Sequence, residues 1–248
     1  MSRGAKIATA AVAAFVVVLI ARFPARWAAG VLPRGTTCLR ISGTLWSGAC
    51  AGLAWSGTPI GDLTWDGHPL RLLIASLSAD VALSRGAGTA HGRVDVGPSG
   101  TVTARGVEAS FPLDRTLLDA LPPGTHASAQ ADIPLLRFKG MRVLALRGRI
   151  DVRGLTDTRG GPLGDYRLSF PADSTARTPS SGPVGHLTDL GGPFSVDGTV
   201  RLTPEPGYVI EARVAARPGA PPDLVDALRY LGSPDSSGRR PFSLSGTF

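Results

Sequence analysis

The chain has 248 residues, of which 43% are apolar, and its 26 lysines and arginines against 19 acidic residues give a formal net charge of +7. The charge is almost entirely arginine, since Lys6 and Lys139 are the only lysines, and the arginines are scattered singly. Without a basic patch interleaved with aromatic residues, the sequence excludes nucleic acid as a partner and favours anionic lipid headgroups or an acidic protein face.

One apolar stretch near the start of the chain is a candidate membrane segment. Ile7–Ala21 carries no charge, follows Lys6 and precedes Arg22. It is shorter than the roughly 20 residues that span a bilayer. A helix that continues through Phe23, with its flanking cations reaching the headgroups, closes most of this deficit. We therefore predict a transmembrane anchor over residues 7–23.

The apolar stretch has two alternative interpretations. It could be a signal peptide, cleaved near Ala28-Ala29-Gly30, or a buried core helix. If it is an anchor, the positive-inside rule keeps the short basic segment 1–6 in the cytoplasm. A juxtamembrane linker over 24–36 and a β domain over 37–248 then lie on the far side of the membrane.

The two cysteines are a disulfide candidate. Cys38 and Cys50 stand at equal distances from Thr44, in a segment that we predict to be a hairpin. Equal spacing about a turn predicts cross-strand partners, and with Gly43 in a three-residue turn their Cβ atoms come within disulfide reach. Two small buried thiols are the alternative. Metal binding is not expected, because no histidine pair lies nearby.

Alternation of apolar and polar residues is the strongest secondary-structure signal. Apolar residues occupy every second position in segments such as 73–83, 144–153 and 194–202. This period predicts strands with one buried and one solvated face, as in antiparallel meanders. We therefore predict a mainly β fold, in which the N-terminal transmembrane helix precedes a single curved antiparallel sheet domain, as a sandwich or an open roll.

Two short helices are predicted among the strands. Asp114 can cap a helix over 114–121, which the following prolines stop. A second helix starts at Pro222 and ends at Gly232. Serine, threonine, proline and glycine dominate residues 171–192, and we interpret them as a long surface loop.

The sequence lacks the residue arrangements that enzyme chemistry requires. No Gly-rich phosphate loop or Gly-x-Ser-x-Gly motif is present, and none of the three glutamates pairs evidently with an aspartate on one strand face. The histidines, which have no partner at metal-ligand spacing, are His68, His91, His126 and His186. We therefore predict that the protein is not an enzyme and has no metal, cofactor or small-molecule substrate.

Four passages of the chain together resemble one protein family. They are Ile-Ala-Arg-Phe-Pro-Ala-Arg-Trp at 20–27, Ile-Ser-Gly-Thr-Leu-Trp-Ser-Gly at 41–48, Leu-Gly-Gly-Pro-Phe at 190–194, and Leu-Arg-Tyr-Leu-Gly-Ser-Pro-Asp-Ser-Ser-Gly-Arg-Arg at 228–240 leading to a C-terminal Ser-Gly-Thr-Phe. With these passages in this order, the chain resembles the type II secretion system protein N family, also called general secretion pathway protein N.

The resemblance implies a non-enzymatic subunit that is anchored in the bacterial inner membrane by a single pass and has its C-terminal domain in the periplasm. It implies a role in the export of folded proteins across the outer membrane. The partners that it implies are the inner-membrane platform of the secretion system, the outer-membrane secretin and membrane lipid. The family has no known catalytic residues, so none is carried over.

The second passage is predicted to have a structural role. Gly43 and Gly48 permit a tight turn and close strand approach, and Thr44 and Leu45 lie between them. Trp46 is predicted to pack the hairpin against the sheet, and an exposed anchor for a partner is its alternative role.

A lipid-handling protein is the rival function. Gly-Thr pairs at Gly43, Gly100, Gly198 and Gly246 are interpreted as strand starts that would suit a bent sheet. The apolar inner face of such a sheet could hold an acyl chain as a groove in the periplasm, or it could be a filled core. A groove and a filled core both require strands in which apolar and polar residues alternate, so the sequence does not decide between them.

Overall fold

The computed structural model of the chain describes residues 22–26, 35–69, 71, 76–113, 124–172, 182–204 and 207–247, together with the single positions Val12, Phe15 and Val18. The chain divides after Gly86 into two compact units, unit 1 (Met1–Gly86) and unit 2 (Ala87–Phe248). The division falls inside the predicted 37–248 domain, and the predicted domain bounds stay a prediction.

Most described residues belong to thirteen strands. The strands are β1 Thr36–Gly43, β2 Ser47–Trp55, β3 Thr58–Gly67, β4 Leu77–Arg85, β5 Gly88–Val96, β6 Thr101–Leu113, β7 Ala127–Lys139, β8 Arg142–Thr156, β9 Pro162–Phe170, β10 Val184–Gly191, β11 Phe194–Leu202, β12 Gly207–Ala216 and β13 Arg240–Thr247. In unit 1, β1 to β4 pair antiparallel in chain order. In unit 2, β5 to β13 do the same. The prediction of a mainly β, antiparallel meander is confirmed.

The alternating sequence pattern explains why these segments are strands. In β8, Ile150 and Val152 lie on one face, while Arg149, Asp151 and Arg153 lie on the other. The apolar side chains that are buried in the described residues are few and mostly small: Ala25, Cys50, Ala104, Ala145, Leu146, Phe170, Val200, Ala212, Val214 and Leu228. Most other strand residues are half-buried or exposed, so pairing between neighbouring strands holds much of the fold together.

Glycine bulges interrupt the ladders at two equivalent points. Gly52 in β2 and Gly154 in β8 have φ angles of 65° and 63°, which favour glycine. Their amides donate to a carboxylate on the next strand, to Asp62 at 2.8 Å and to Asp165 at 2.7 Å. The strand registers shift at both places, as expected for bulges that bend a strand.

The C-terminal helix agrees with its prediction. Helix α1 spans Pro222–Leu228, and a 3₁₀ turn continues it over Arg229–Leu231. Proline at the first position has no amide hydrogen to leave unpaired, and Gly232 follows with a φ of 97°. The helix predicted over 114–121 lies outside the described residues.

The prediction of one loop over residues 171–192 is wrong, because β10 lies within that span. Successive residues of β10 lie on opposite faces of the sheet, and the more exposed positions alternate with the more buried ones. Leu187 is opposite Leu168 of β9, and Gly185 leaves room for the ring of Phe170. A composition rich in glycine and threonine conceals this alternation.

The predicted anchor over 7–23 lies mostly outside the described residues. Val12, Phe15 and Val18 are helical, and the Arg22 amide donates to the Val18 carbonyl at 3.0 Å. Within the described part of the chain, no helix combines the length and apolar character needed to cross a membrane. The transmembrane anchor stays a prediction.

Candidate functional site

The Gly-Thr-Leu-Trp-Ser-Gly passage forms the tip of the β1–β2 hairpin. Gly43 and Gly48 are partners in the ladder, and the chain reverses between them. Gly43 has a φ of 89°, and a Cβ atom there would lie 2.4 Å from the Ser47 carbonyl oxygen. At Gly48 a Cβ would lie 2.5 Å from the ring of Trp65. Both positions require glycine. Backbone atoms occupy the space that a side chain would need at Gly43, and the Trp65 ring occupies it at Gly48.

Thr44 organises the turn itself. Its hydroxyl accepts hydrogen bonds from the amides of Trp46 and Ser47, at 3.2 and 3.1 Å. Its own amide donates to the Ser47 carbonyl at 2.8 Å. A hydroxyl bonded to amides two and three residues ahead is the side-chain turn that threonine forms in tight reversals. These three hydrogen bonds of Thr44 stabilise the turn, and they give the predicted structural role of the motif a physical form.

Two other segments hold the hairpin tip. On one side, the Leu45 amide donates to the Phe23 carbonyl at 2.9 Å, and Pro24 bridges to Thr44. On the other side, the Trp65 indole donates to the Leu45 carbonyl at 3.2 Å. The Gly67 amide of β3 also donates to the Trp46 carbonyl. The tip therefore joins the segment at Phe23 to strand β3.

Trp46 is half-buried and lies beside β3. The Cβ position of Gly67 is 3.5 Å from its indole ring, which is a van der Waals contact distance. This arrangement favours packing of the hairpin against the sheet over a fully exposed partner anchor.

The cysteine register differs from the prediction. Cys38 lies opposite Leu53 and Cys50 opposite Ile41, so the cysteines are not direct cross-strand partners. The turn is centred between Leu45 and Trp46 and not at Thr44, because Gly43 pairs with Gly48. The sulfur atoms are nevertheless bonded in the structure, with Cα atoms 5.9 Å apart. The bond therefore joins two positions that are three residues out of register in the β1–β2 ladder.

Replacing both Cys38 and Cys50 with serine should lower the free energy of unfolding by about 2–3 kcal/mol, because a short covalent loop restricts the unfolded chain. Denaturant unfolding measures this loss, and reduced wild-type protein serves as the matched control. Thiol titration of unreduced, denatured protein from an oxidising compartment should find no free thiol. Two free thiols would rule out the bond.

A continuous polar face crosses all nine strands of unit 2. One row of cross-strand partners consists of His91, Glu108, Asp132, Arg149, Ser169, His186, Thr199, Glu211 and Ser243. The adjacent row on the opposite face is Ala90, Ala109, Ala131, Ile150, Leu168, Leu187, Gly198, Ala212 and Phe242. The register therefore keeps polar and apolar side chains on separate faces from β5 to β13.

An ion-pair cluster stands on this polar face at β8 and β9. Asp151 is only 7% exposed and accepts two hydrogen bonds from Arg167, at 2.6 and 2.7 Å. The bonds from Arg167 lower the pKa of the Asp151 carboxyl, and Arg153 and Arg149 add to this effect. The geometry is that of a bidentate arginine–carboxylate pair, which fixes β9 against β8.

A cleft of about 1180 Å³ lies on the same face near the C-terminus. Its floor is formed by β10 to β13, and the segment after α1 forms its wall. Asp197 and Glu211 line the floor without an ion-pair partner in the described residues, whereas Arg213 pairs with Asp235. With Arg239 also in the lining, the cleft keeps a net negative charge of about one when His186 is neutral.

The Ser-Pro-Asp-Ser-Ser-Gly passage builds the wall of this cleft. Asp235 accepts hydrogen bonds from the Ser237 hydroxyl at 2.7 Å and from the amides of Ser237 and Arg239 at 2.9 and 3.0 Å. These bonds, the Ser237 hydroxyl first, and the Arg213 guanidinium lower the pKa of Asp235 to about 2. The loop is thereby fixed, and Tyr230 stands at the rim of the cleft with 92% of its surface exposed.

The four histidines are spread over the structure. His68 pairs with Asp80 at 2.8 Å, and His91 lies 3.6 Å from Glu108. The backbone of His126 is hydrogen-bonded to Thr156, and His186 lines the C-terminal cleft. Among the described residues, no three His, Cys, Asp or Glu side chains are grouped so that they could hold a metal ion.

Comparison with known proteins identifies the family. The family model of type II secretion system (T2SS), protein N, matches residues 35–243. The chain belongs to this family. It is 28% identical over 224 residues to the type II secretion system protein N of Vibrio cholerae serotype O1 (strain ATCC 39315 / El Tor Inaba N16961), covering 87% of the chain and 86% of that protein. It is 26% identical over 258 positions to the type II secretion system protein N of Aeromonas hydrophila, with 99% of each covered.

No solved structure matches the chain significantly. Membership of the family confirms the resemblance found in the sequence and indicates involvement in type II secretion, with contacts to other parts of the secretion system. The matched span contains both the hairpin tip and the whole C-terminal segment that walls the cleft.

Sequence reasoning missed the polar face and the cleft. The polar residues of each strand were visible as alternation, but their assembly into rows depends on the register of eight strand pairs. Part of the signal for the cleft was present, because Pro234 to Gly238 is a turn-rich passage after a helix. Its position above β11 to β13 could not be read from that passage.

Proposed function

We propose that the protein is a non-enzymatic subunit of the type II secretion system, anchored in the inner membrane by residues 7–23, with its β units in the periplasm. The observation that carries this proposal is the family match over residues 35–243. The C-terminal cleft supports a role in binding, because Asp197 and Glu211 line it without an ion-pair partner among the described residues.

We further propose that the C-terminal cleft binds a segment of another secretion subunit. The carboxylates of Asp197 and Glu211, which have no ion-pair partner among the described residues, favour a basic side chain, and Tyr230 offers an exposed aromatic face beside them. The partner segment should therefore carry an arginine or lysine next to an apolar residue. The inner-membrane platform and the periplasmic part of the secretin are the proposed sources of this segment.

Replacing Tyr230 with alanine should weaken partner binding by about 2 kcal/mol, the loss typical of an exposed aromatic anchor. The measurement is co-purification of secretion subunits with the variant in the native host, together with the amount of secreted enzyme in the medium. Tyr230→Phe should retain binding because it keeps the ring. Val225→Ala is the matched control, since Val225 is exposed on α1 but does not line the cleft.

Photo-crosslinking in the native host tests the proposed function as a whole. A photoreactive residue at Ser233 probes the cleft, and one at Leu168 probes the apolar face of unit 2. Adducts from Ser233 to platform subunits or to the secretin support the subunit function. Adducts to neither, in cells that secrete normally, count against it.

Lipid handling in the periplasm is the second candidate function. The observation that favours it is the apolar row from Ala90 to Phe242, whose larger members, Ile150, Leu168 and Leu187, are only half-buried in the described structure. A face of this kind could receive an acyl chain. Acyl-lipid adducts from Leu168, without protein adducts from Ser233, would favour lipid handling over the subunit function.

A further inference from the structure

We propose that the β1–β2 hairpin tip is a membrane-docking element that lies at the lipid headgroup boundary, where it contacts anionic lipid. This inference rests on the proposed anchor and goes beyond it, because it assigns a lipid-facing role to Leu45 and to the surface around it. The occupant of this surface is the outer leaflet of the membrane that holds the anchor.

The first observation is the direct connection between the hairpin and the end of the apolar segment. A helical hydrogen bond joins the Arg22 amide to the Val18 carbonyl. The carbonyl of the following residue, Phe23, accepts a hydrogen bond from the Leu45 amide at 2.9 Å. Pro24 bridges to Thr44, and Ala25 is buried. An anchor over residues 7–23 therefore places the hairpin tip beside the point where the chain leaves the bilayer, because Leu45 is hydrogen-bonded to Phe23.

The second observation is exposed apolar surface on the same hairpin. Leu45 at the tip is 36% exposed, and Leu39 on β1 is 90% exposed. Two half-buried tryptophans, Trp46 and Trp65, lie at the tip, and the Trp65 indole N–H donates to the Leu45 carbonyl at 3.2 Å. Tryptophan concentrates at membrane–water boundaries because its ring is apolar and its N–H needs a polar partner.

The third observation is the distribution of charge. Residues 22–61, which follow the apolar stretch, contain the four basic residues Arg22, Arg26, Arg34 and Arg40 and none of the 19 acidic ones. Arg22, Arg26 and Arg40 are exposed and form no ion pair within the described part of unit 1. Unpaired cations beside an apolar tip match an anionic lipid surface, which attracts each of them.

These observations favour lipid over a protein partner. A protein interface of this composition would need acidic side chains from the partner for each unpaired arginine. The headgroup region supplies negative charge along the whole surface, next to hydrocarbon for Leu45. The family motif at 41–48 then has two roles: it closes the hairpin and it presents the tip to the membrane.

The test places a photoreactive benzoylphenylalanine at Leu45 in the full-length chain, reconstituted in vesicles of phosphatidylcholine and phosphatidylglycerol at a ratio of three to one. The matched control carries the same residue at Leu244, which is 45% exposed in unit 2. We expect lipid adducts at position 45 to exceed those at position 244 several-fold. They should decrease in pure phosphatidylcholine and in an Arg40→Gln variant.

Carbonate washing separates failure of this inference from failure of the anchor. Protein that resists extraction but gives no excess of lipid adducts at position 45 would overturn the docking inference and leave the anchor intact. Extraction by carbonate would refute the anchor and remove the basis for placing the hairpin at the membrane. Adducts from position 45 only to a protein, in native-host membranes, would also overturn the inference.

Discussion

Replacing Gly43 with alanine should lower the free energy of unfolding of unit 1 by about 3 kcal/mol, combining left-handed backbone strain with a steric clash. Gly43 has a φ of 89°, and an added Cβ would lie 2.4 Å from the Ser47 carbonyl oxygen and 2.7 Å from the Gly48 Cα. Both neighbours are backbone atoms of the same turn, so neither can rotate away. Tryptophan fluorescence during urea unfolding of the full-length chain in detergent measures the loss, because all four tryptophans precede Gly86.

Gly57→Ala is the matched control for this prediction. Gly57 has a φ of 85°, almost the same as Gly43, but no atom lies within 4 Å of the Cβ that alanine would add. Its loss should therefore be about 1 kcal/mol, from backbone strain alone. Equal losses for the two variants would show that the close approach of Ser47 and Gly48 does not stabilise the turn.

The hairpin could be predicted because its signals are local. Glycines that bracket a threonine and a tryptophan indicate a tight turn, and the structure has the turn there. The cysteine register could not be predicted from the same segment. Equal spacing about Thr44 assumes that the turn is centred there, whereas Gly43 pairs with Gly48 and places the centre between Leu45 and Trp46. The glycines and the threonine indicate a tight turn in this segment, but they do not determine which two residues close it.

The strands predicted from alternation are a second case in which local signals identify an element but not its contacts. Alternation around Leu146 and Val200 predicted strands, and both residues lie in the small buried core. Gly198 was interpreted as the start of a strand but lies in the middle of β11. A Cβ at Gly198 would be 2.4 Å from the Glu211 carbonyl oxygen of β12, so glycine permits close approach of the two strands. Such a requirement depends on a neighbour that the sequence does not identify.

Arg167→Ala should destabilise unit 2 by about 2 kcal/mol near neutral pH, because it leaves the Asp151 carboxylate buried without its main partner. Breaking a fully buried pair costs about 3–5 kcal/mol, and we expect less because the Arg167 side chain is 38% exposed and water screens it. Arg153 remains 3.9 Å from Asp151 and compensates only in part. Urea unfolding followed by far-UV circular dichroism measures this loss.

Arg149→Ala is the matched control on the same face of β8. Arg149 pairs with Asp132 at 2.9 Å, but both side chains are about half exposed, so their pair contributes less than about 1 kcal/mol. A double variant, Arg167→Ala with Asp151→Ala, should be more stable than Arg167→Ala alone because no buried charge is left. If the double variant is instead the less stable of the two, packing of these side chains matters more than their charges.

The pH dependence separates charge from packing. In the wild-type protein, the hydrogen bonds from Arg167 lower the folded pKa of Asp151 below its ordinary value of 3.8. Its contribution to stability is therefore fully present above that value and is lost as the pH falls through the lowered pKa. In Arg167→Ala the carboxyl loses this partner, and burial then favours its protonated form. The stability difference between wild type and Arg167→Ala should therefore shrink between pH 7 and pH 3, and Asp151→Asn should remove most of this dependence. A difference that stays constant over this range would assign the whole effect to packing.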